Sequence, residues 1–105
     1  MVPLKLIVGL GNPGPQFERT RHNVGAVWVE NLARRYSIAM KEEAKFKGFV
    51  DRGVIEGVDL RLLIPTTFMN LSGESVGAVM RFYKIDVASL LVAYDEMRSA
   101  RAWLS

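Results

Sequence analysis

The chain has 105 residues, half of them apolar, which is enough for one small domain and too short for two. Fourteen Lys and Arg oppose eleven Asp and Glu, a net charge of +3 that permits a nucleic-acid partner without demanding one. With no cysteine and a single histidine, His22, the chain cannot by itself build disulfides, thiolate chemistry, Cys-based zinc sites, a two-histidine acid and base pair or a multi-histidine metal cage.

The longest apolar run falls far short of the roughly 18 residues that a membrane span needs. The N-terminus lacks a basic stretch followed by an apolar region and cleavage site, so a cytoplasmic protein is expected.

In chain order, Leu4 to Leu10 is a short apolar, β-branched run that reads as a buried strand. Gly11-Asn12-Pro13-Gly14-Pro15 must be a loop, because two prolines and two glycines break any ladder. Thr20 can cap a helix from about Arg21 to Tyr36, with Val24, Val27, Trp28 and Leu32 along its inward face and His22 in its first turn.

Phe46 to Ile64 divides into two extended runs around Glu56-Gly57, the pattern of a β-hairpin whose second strand is Leu60 to Ile64 and ends at Pro65. A loop from Thr66 to Leu71 leads into a helix from about Ser72 to Tyr83, with Ser72 as a possible cap and Val76, Val79, Met80 and Tyr83 facing inward. Leu90 to Ala93 is a further buried strand that delivers Tyr94, Asp95 and Glu96 at its end. Strand and helix alternate, so the class is α/β, and no repeat or linker divides the chain into separate units.

In open α/β sheets, ligands sit beyond the carboxyl ends of the strands. Polar residues follow three such ends here: Asn12, the Thr66-to-Asn70 loop, and Asp95.

Gly9-Leu10-Gly11-Asn12-Pro13-Gly14 matches the glycine spacing of a dinucleotide-binding turn, but its context does not. No helix opens at the third glycine, two prolines remove backbone donors, and Arg34-Arg35 stand where a ribose-binding acid belongs. A tight loop accounts for the glycines and leaves Asn12 unexplained.

A lone His22 is more often a packing or helix-start residue than a catalyst. A helix N-terminus nevertheless favours the neutral imidazole that a general base requires. Asp95 is either an ordinary turn aspartate or the carboxylate that orients the ring through its other nitrogen. Phe68-Met69-Asn70 reads as a hydrophobic staple for the following helix, and Phe17 either closes its loop or offers a stacking face for a base.

Four segments taken together narrow these alternatives: Leu6-Ile-Val-Gly-Leu-Gly-Asn-Pro-Gly14, Thr20-Arg21-His22-Asn23, Pro65-Thr-Thr-Phe-Met-Asn-Leu-Ser-Gly73, and Asp95-Glu96. Their order and spacing resemble the bacterial peptidyl-tRNA hydrolase family from about Leu4 to Glu96. The resemblance implies a three-layer α/β fold, with a mixed sheet flanked by helices. It also implies hydrolysis of the ester joining a peptide to the 3′ end of transfer RNA, with peptidyl-tRNA as partner, no metal or other cofactor, and a monomeric enzyme.

On this resemblance His22 activates a water, Asp95 holds the histidine in its basic form, and Asn12 separates blocked from free aminoacyl groups; these three form the catalytic set. Asn70 helps position the ester, and Phe17 and Phe68 line the site for the 3′ end of the transfer RNA. The family often has tyrosine at the position of Phe17; phenylalanine keeps the stacking face and loses the hydroxyl. An ester needs one positioned water, a base of near-neutral pKa and amide donors for the oxyanion, which these residues can supply.

The resemblance breaks after Met97. Family members usually have Leu or Met after Asp-Glu, continue with Asp-Leu-Pro and a glycine, and later carry a Gly-His-rich loop, whereas here Met97 is followed by Arg98 to Ser105, an atypical tail. Codons for Arg98-Ser99-Ala100 written CGA-TCT-GCC spell Asp-Leu-Pro when read one nucleotide later, so a frameshift near Met97 is one hypothesis. Sequencing the gene rejects it if no Gly-His-rich frame follows. A fold lacking its later strands is expected to be poorly stable and to turn over little substrate. A non-catalytic RNA-binding fragment and an unfolded product of a damaged gene are the competing readings.

Overall fold

A computed structural model describes residues 3–11, 24–67, 71–94 and, for the backbone, 97–99. The chain forms β1 (Leu6–Gly9), α1 (Val24–Arg35), β2 (Lys41–Glu43), a 3-10 turn (Ala44–Phe46), β3 (Gly48–Ile55), β4 (Val58–Pro65), α2 (Ser72–Tyr83), a second 3-10 turn (Val87–Ser89), β5 (Leu90–Ala93) and β6 (Met97–Ser99). The strands make one six-stranded sheet in the order β2-β3-β4-β1-β5-β6. β1 lies between β4 and β5 and runs parallel to both, while the remaining pairs are antiparallel.

Because strand side chains alternate between faces, consecutive residues feed two different cores. Leu6 and Val8 of β1, Leu63 of β4, and Leu90 and Val92 of β5 join Val76 and Val79 of α2 on one face. Ile7, Leu60, Leu62 and Ala93 join Val29 and Ala33 of α1 on the other. The result is three layers, helix, mixed sheet and helix, as the resemblance implies. The continuous apolar runs of β1 and β5, and of β4 from Leu62 to Pro65, follow from this, since a strand stretch covered on both faces has no polar side.

The hairpin turns at Glu56-Gly57, where both residues have positive φ, 50° and 79°. That is the two-residue turn whose twist suits paired strands, with glycine at the more demanding position. β4 begins two residues earlier than the expected Leu60 and takes in Pro65. α2 and β5 have the bounds read from the sequence.

Two expectations need correction. Along α1 the buried residues are Gly25, Val29 and Ala33, whereas Val24 and Trp28 are 45% and 40% exposed and Val27 and Leu32 are half-buried. The helix presents its smaller side chains to the sheet because it packs against backbone there, which the bulk of Trp28 would prevent. Its expected first residues, Arg21 to Asn23, lie outside the described residues.

Ser72 is not a cap: it is the first residue of α2, fully buried, and Leu71 precedes it without a side-chain capping bond. Two edge strands went unread as well. β2 pairs Glu43 with Gly48, and β6 pairs Met97 with Ala93. No helix among the described residues is long and apolar enough to cross a membrane.

Candidate active site

The three strands that the sequence singles out by their polar ends are neighbours: β4, β1 and β5. Their parallel registers pair Val8 with both Leu63 and Val92, and Gly9 with Ala93, so the carboxyl ends lie level at one edge of the sheet. At that edge the described chain leaves β1 at Gly11, β4 at Thr67 and β5 at Tyr94. This is the crevice position at which open α/β sheets hold ligands.

The helix that follows β1 is fastened to the same edge. The Leu10 N–H donates to the Ala93 carbonyl at 2.9 Å, and the Leu10 carbonyl accepts from the Ala26 N–H at 3.0 Å. β1, β5 and the first turn of α1 are thus joined through one residue. Glycines make the contact possible. A Cβ added at Gly9 would lie 2.5 Å from the Gly25 carbonyl oxygen and 2.6 Å from a Val29 methyl, so this glycine serves helix packing rather than the backbone angles of a tight loop.

On the opposite face, α2 begins directly after the second polar segment. The hydroxyls of Thr67, Ser72 and Ser75 are buried there and have no hydrogen-bond partner among the described residues. Burying hydroxyls is costly unless they find partners, so this corner of the fold is a polar spot beside the apolar core. Sequence reasoning passed over Ser75 and Gly25. The signal for the second was a Gly25, Val29, Ala33 stripe at four-residue spacing, overshadowed by the larger Val24, Trp28 and Leu32.

The expected site residues all lie outside the described residues: Asn12, Phe17 and His22 between Gly11 and Val24, Phe68 and Asn70 between Thr67 and Leu71, and Asp95 directly after Tyr94. What the described residues contribute is the three level strand ends from which those segments depart. Among the described residues there is no cluster of three or more His, Asp or Glu that could hold a metal ion. An open recess of about 460 Å³, lined by Ile38, Met40, Phe49 and Ile64 with Glu30 and Arg34 of α1, lies on the α1 face of the sheet.

Comparison with known proteins adds a separate line of argument. The family model for peptidyl-tRNA hydrolase matches residues 6–103. A peptidyl-tRNA hydrolase of Aeromonas hydrophila is 55% identical over 94 residues, which is 90% of this chain and 48% of that protein. One from Acinetobacter baylyi is 56% identical over 97 residues, covering 92% and 50%. A crystal structure of peptidyl-tRNA hydrolase from Acinetobacter baumannii superposes with a TM-score of 0.85 at 52% identity, covering 89% of this chain and 47% of that one. The chain spans about half the length of the curated relatives it matches. With a family match that runs through nearly all of its length and a fold shared with solved members, the chain belongs to the peptidyl-tRNA hydrolase family.

Proposed function

We propose that this chain carries the hydrolytic site for the ester between a peptide, or an N-blocked aminoacyl group, and transfer RNA. The observation that carries the reading is the level carboxyl edge of β4, β1 and β5, from which all three segments bearing the proposed site residues depart.

In this reading one ring nitrogen of His22 takes a proton from a water, whose oxygen attacks the ester carbonyl carbon. Asp95 accepts a hydrogen bond from the other ring nitrogen and holds the tautomer. The carbonyl oxygen becomes an oxyanion that the side-chain amides of Asn12 and Asn70 stabilise. The bond to the 3′ oxygen of the transfer RNA then breaks, and that oxygen takes the proton back from the imidazolium. Asn12 also discriminates blocked from free amino groups, and Phe17 and Phe68 stack against the terminal nucleotides. These steps need no metal or other cofactor. The acting unit is a single chain, and its place is the cytoplasm, where transfer RNA is recycled.

The test is hydrolysis of N-blocked aminoacyl-tRNA by the purified chain beside its His22→Ala variant. Cleavage that disappears in the variant is the expected result. A folded chain that binds transfer RNA in a salt-dependent way yet leaves the ester intact would replace this reading with that of a binding fragment.

A further inference from the structure

Gly25 sits at the tightest contact between α1 and the sheet. A Cβ built there would fall 2.5 Å from the Ala93 carbonyl carbon, closer still to its oxygen, and 2.8 Å from the Tyr94 Cα. Every one of these atoms is backbone, so no side-chain rotation can relieve the overlap. The Ala93 carbonyl is itself held, because it accepts the Leu10 N–H, and Ala93 is paired in register with Gly9. β5 is therefore fixed within the sheet, and α1 is the partner that must give way.

We propose that Gly25 is a positioning residue: its missing side chain sets how closely the start of α1 approaches the end of β5, and through that the separation of His22 and Asp95. The inference rests on the proposed pairing of those two residues and deepens it. His22 precedes Gly25 by three residues and Asp95 follows Ala93 by two, so little chain intervenes to absorb a displacement. Restoring an ordinary contact distance at Ala93 moves the first turn of α1 by about 1–2 Å, at least as large as the misplacements that cost about 100-fold in rate when catalytic groups are involved. Val29 and Ala33 lie deeper along the same helix and anchor it in the core, which concentrates the movement at its first turn.

Because His22 is the only histidine, its imidazole proton resonances can be followed by NMR titration without ambiguity. In the unaltered chain, Asp95→Asn is expected to lower the His22 titration midpoint by roughly one pH unit, since a carboxylate in contact favours the imidazolium. In the Gly25→Ala background the same change is expected to shift it by less than about a third of that. Gly53→Ala is the control: Gly53 lies on β3 opposite Leu60, well away from the strand ends, its Cβ meets only the outer atoms of the Ile38 side chain and no backbone, and the coupling should survive there. Where Gly25→Ala shows no cooperative thermal transition, Gly9→Ala, which presses on the same helix from β1, takes its place with the same expected loss.

An equal Asp95→Asn shift with and without the glycine substitution, or a loss of coupling in Gly53→Ala as well, overturns the role of Gly25. Absence of any shift in the unaltered chain overturns the His22 and Asp95 pairing, and the positioning role with it.

Discussion

The Tyr36 hydroxyl donates to a carboxylate oxygen of Glu56 at 2.7 Å, joining the chain just beyond α1 to the turn of the β3–β4 hairpin. The hydrogen bond to Glu56, then burial, then the charge of Glu56 raise the Tyr36 pKa above its ordinary 10.0, against a smaller opposing effect of Arg35. A group whose folded pKa is raised contributes stability that is fully present below the unfolded value and is lost as pH rises through the folded one. The stability difference between the parent and Tyr36→Phe should therefore stay constant up to about pH 9 and shrink above about pH 10, by linkage. Thermal unfolding across that range checks it; a difference that holds to about pH 11 would sink the assignment.

The buried face of α1 predicts an order of costs that runs against side-chain size. Val29→Ala removes two methyl groups from a fully enclosed site and should cost about 2 kcal/mol. Val24→Ala, on the exposed side, should stay within about 0.5 kcal/mol. Urea unfolding midpoints compare the two. A larger loss from Val24 would restore the face first read from the sequence.

Two glycines with open space around them should respond in opposite directions. Gly57 has φ +79° in the hairpin turn, so Gly57→Ala meets no neighbour yet strains the backbone, and should destabilise by about 1–2 kcal/mol. Gly73 is exposed in the first turn of α2, so Gly73→Ala should stabilise by roughly 0.4–1 kcal/mol through helix propensity and a less flexible unfolded chain. Chemical denaturation of both variants decides the signs.

The guanidinium carbon of Arg61, on β4, stands 3.6 Å from the centre of the Tyr83 ring in the last turn of α2. A double-mutant cycle of Arg61→Met and Tyr83→Leu should return a coupling of about 0.5–1 kcal/mol. A coupling indistinguishable from zero would reduce the contact to simple packing.

Features governed by neighbouring residues were legible in the sequence. α2 shows inward positions at helical spacing and closes at Lys84, whose left-handed conformation directs its N–H to the Met80 carbonyl. The hairpin announces itself because only a few residue pairs accept two positive φ angles, and Glu56-Gly57 includes the residue best suited. The segments resembling the family were legible too, since they are runs of specific residue types at specific spacings.

Features governed by residues distant in the chain were not. Lys41-Glu42-Glu43 has no apolar alternation; it is a strand only because β3 offers an unpaired edge to it. The inward face of α1 could not be read from hydrophobicity, because the decisive quantity is how near the helix comes to the backbone of Ala93, and small residues win that contest over Trp28. For the candidate site, the sequence by itself determined which residues stand after which strands. Parallel pairing of β4, β1 and β5, strands brought together across more than eighty residues of chain, decided that those strands end side by side.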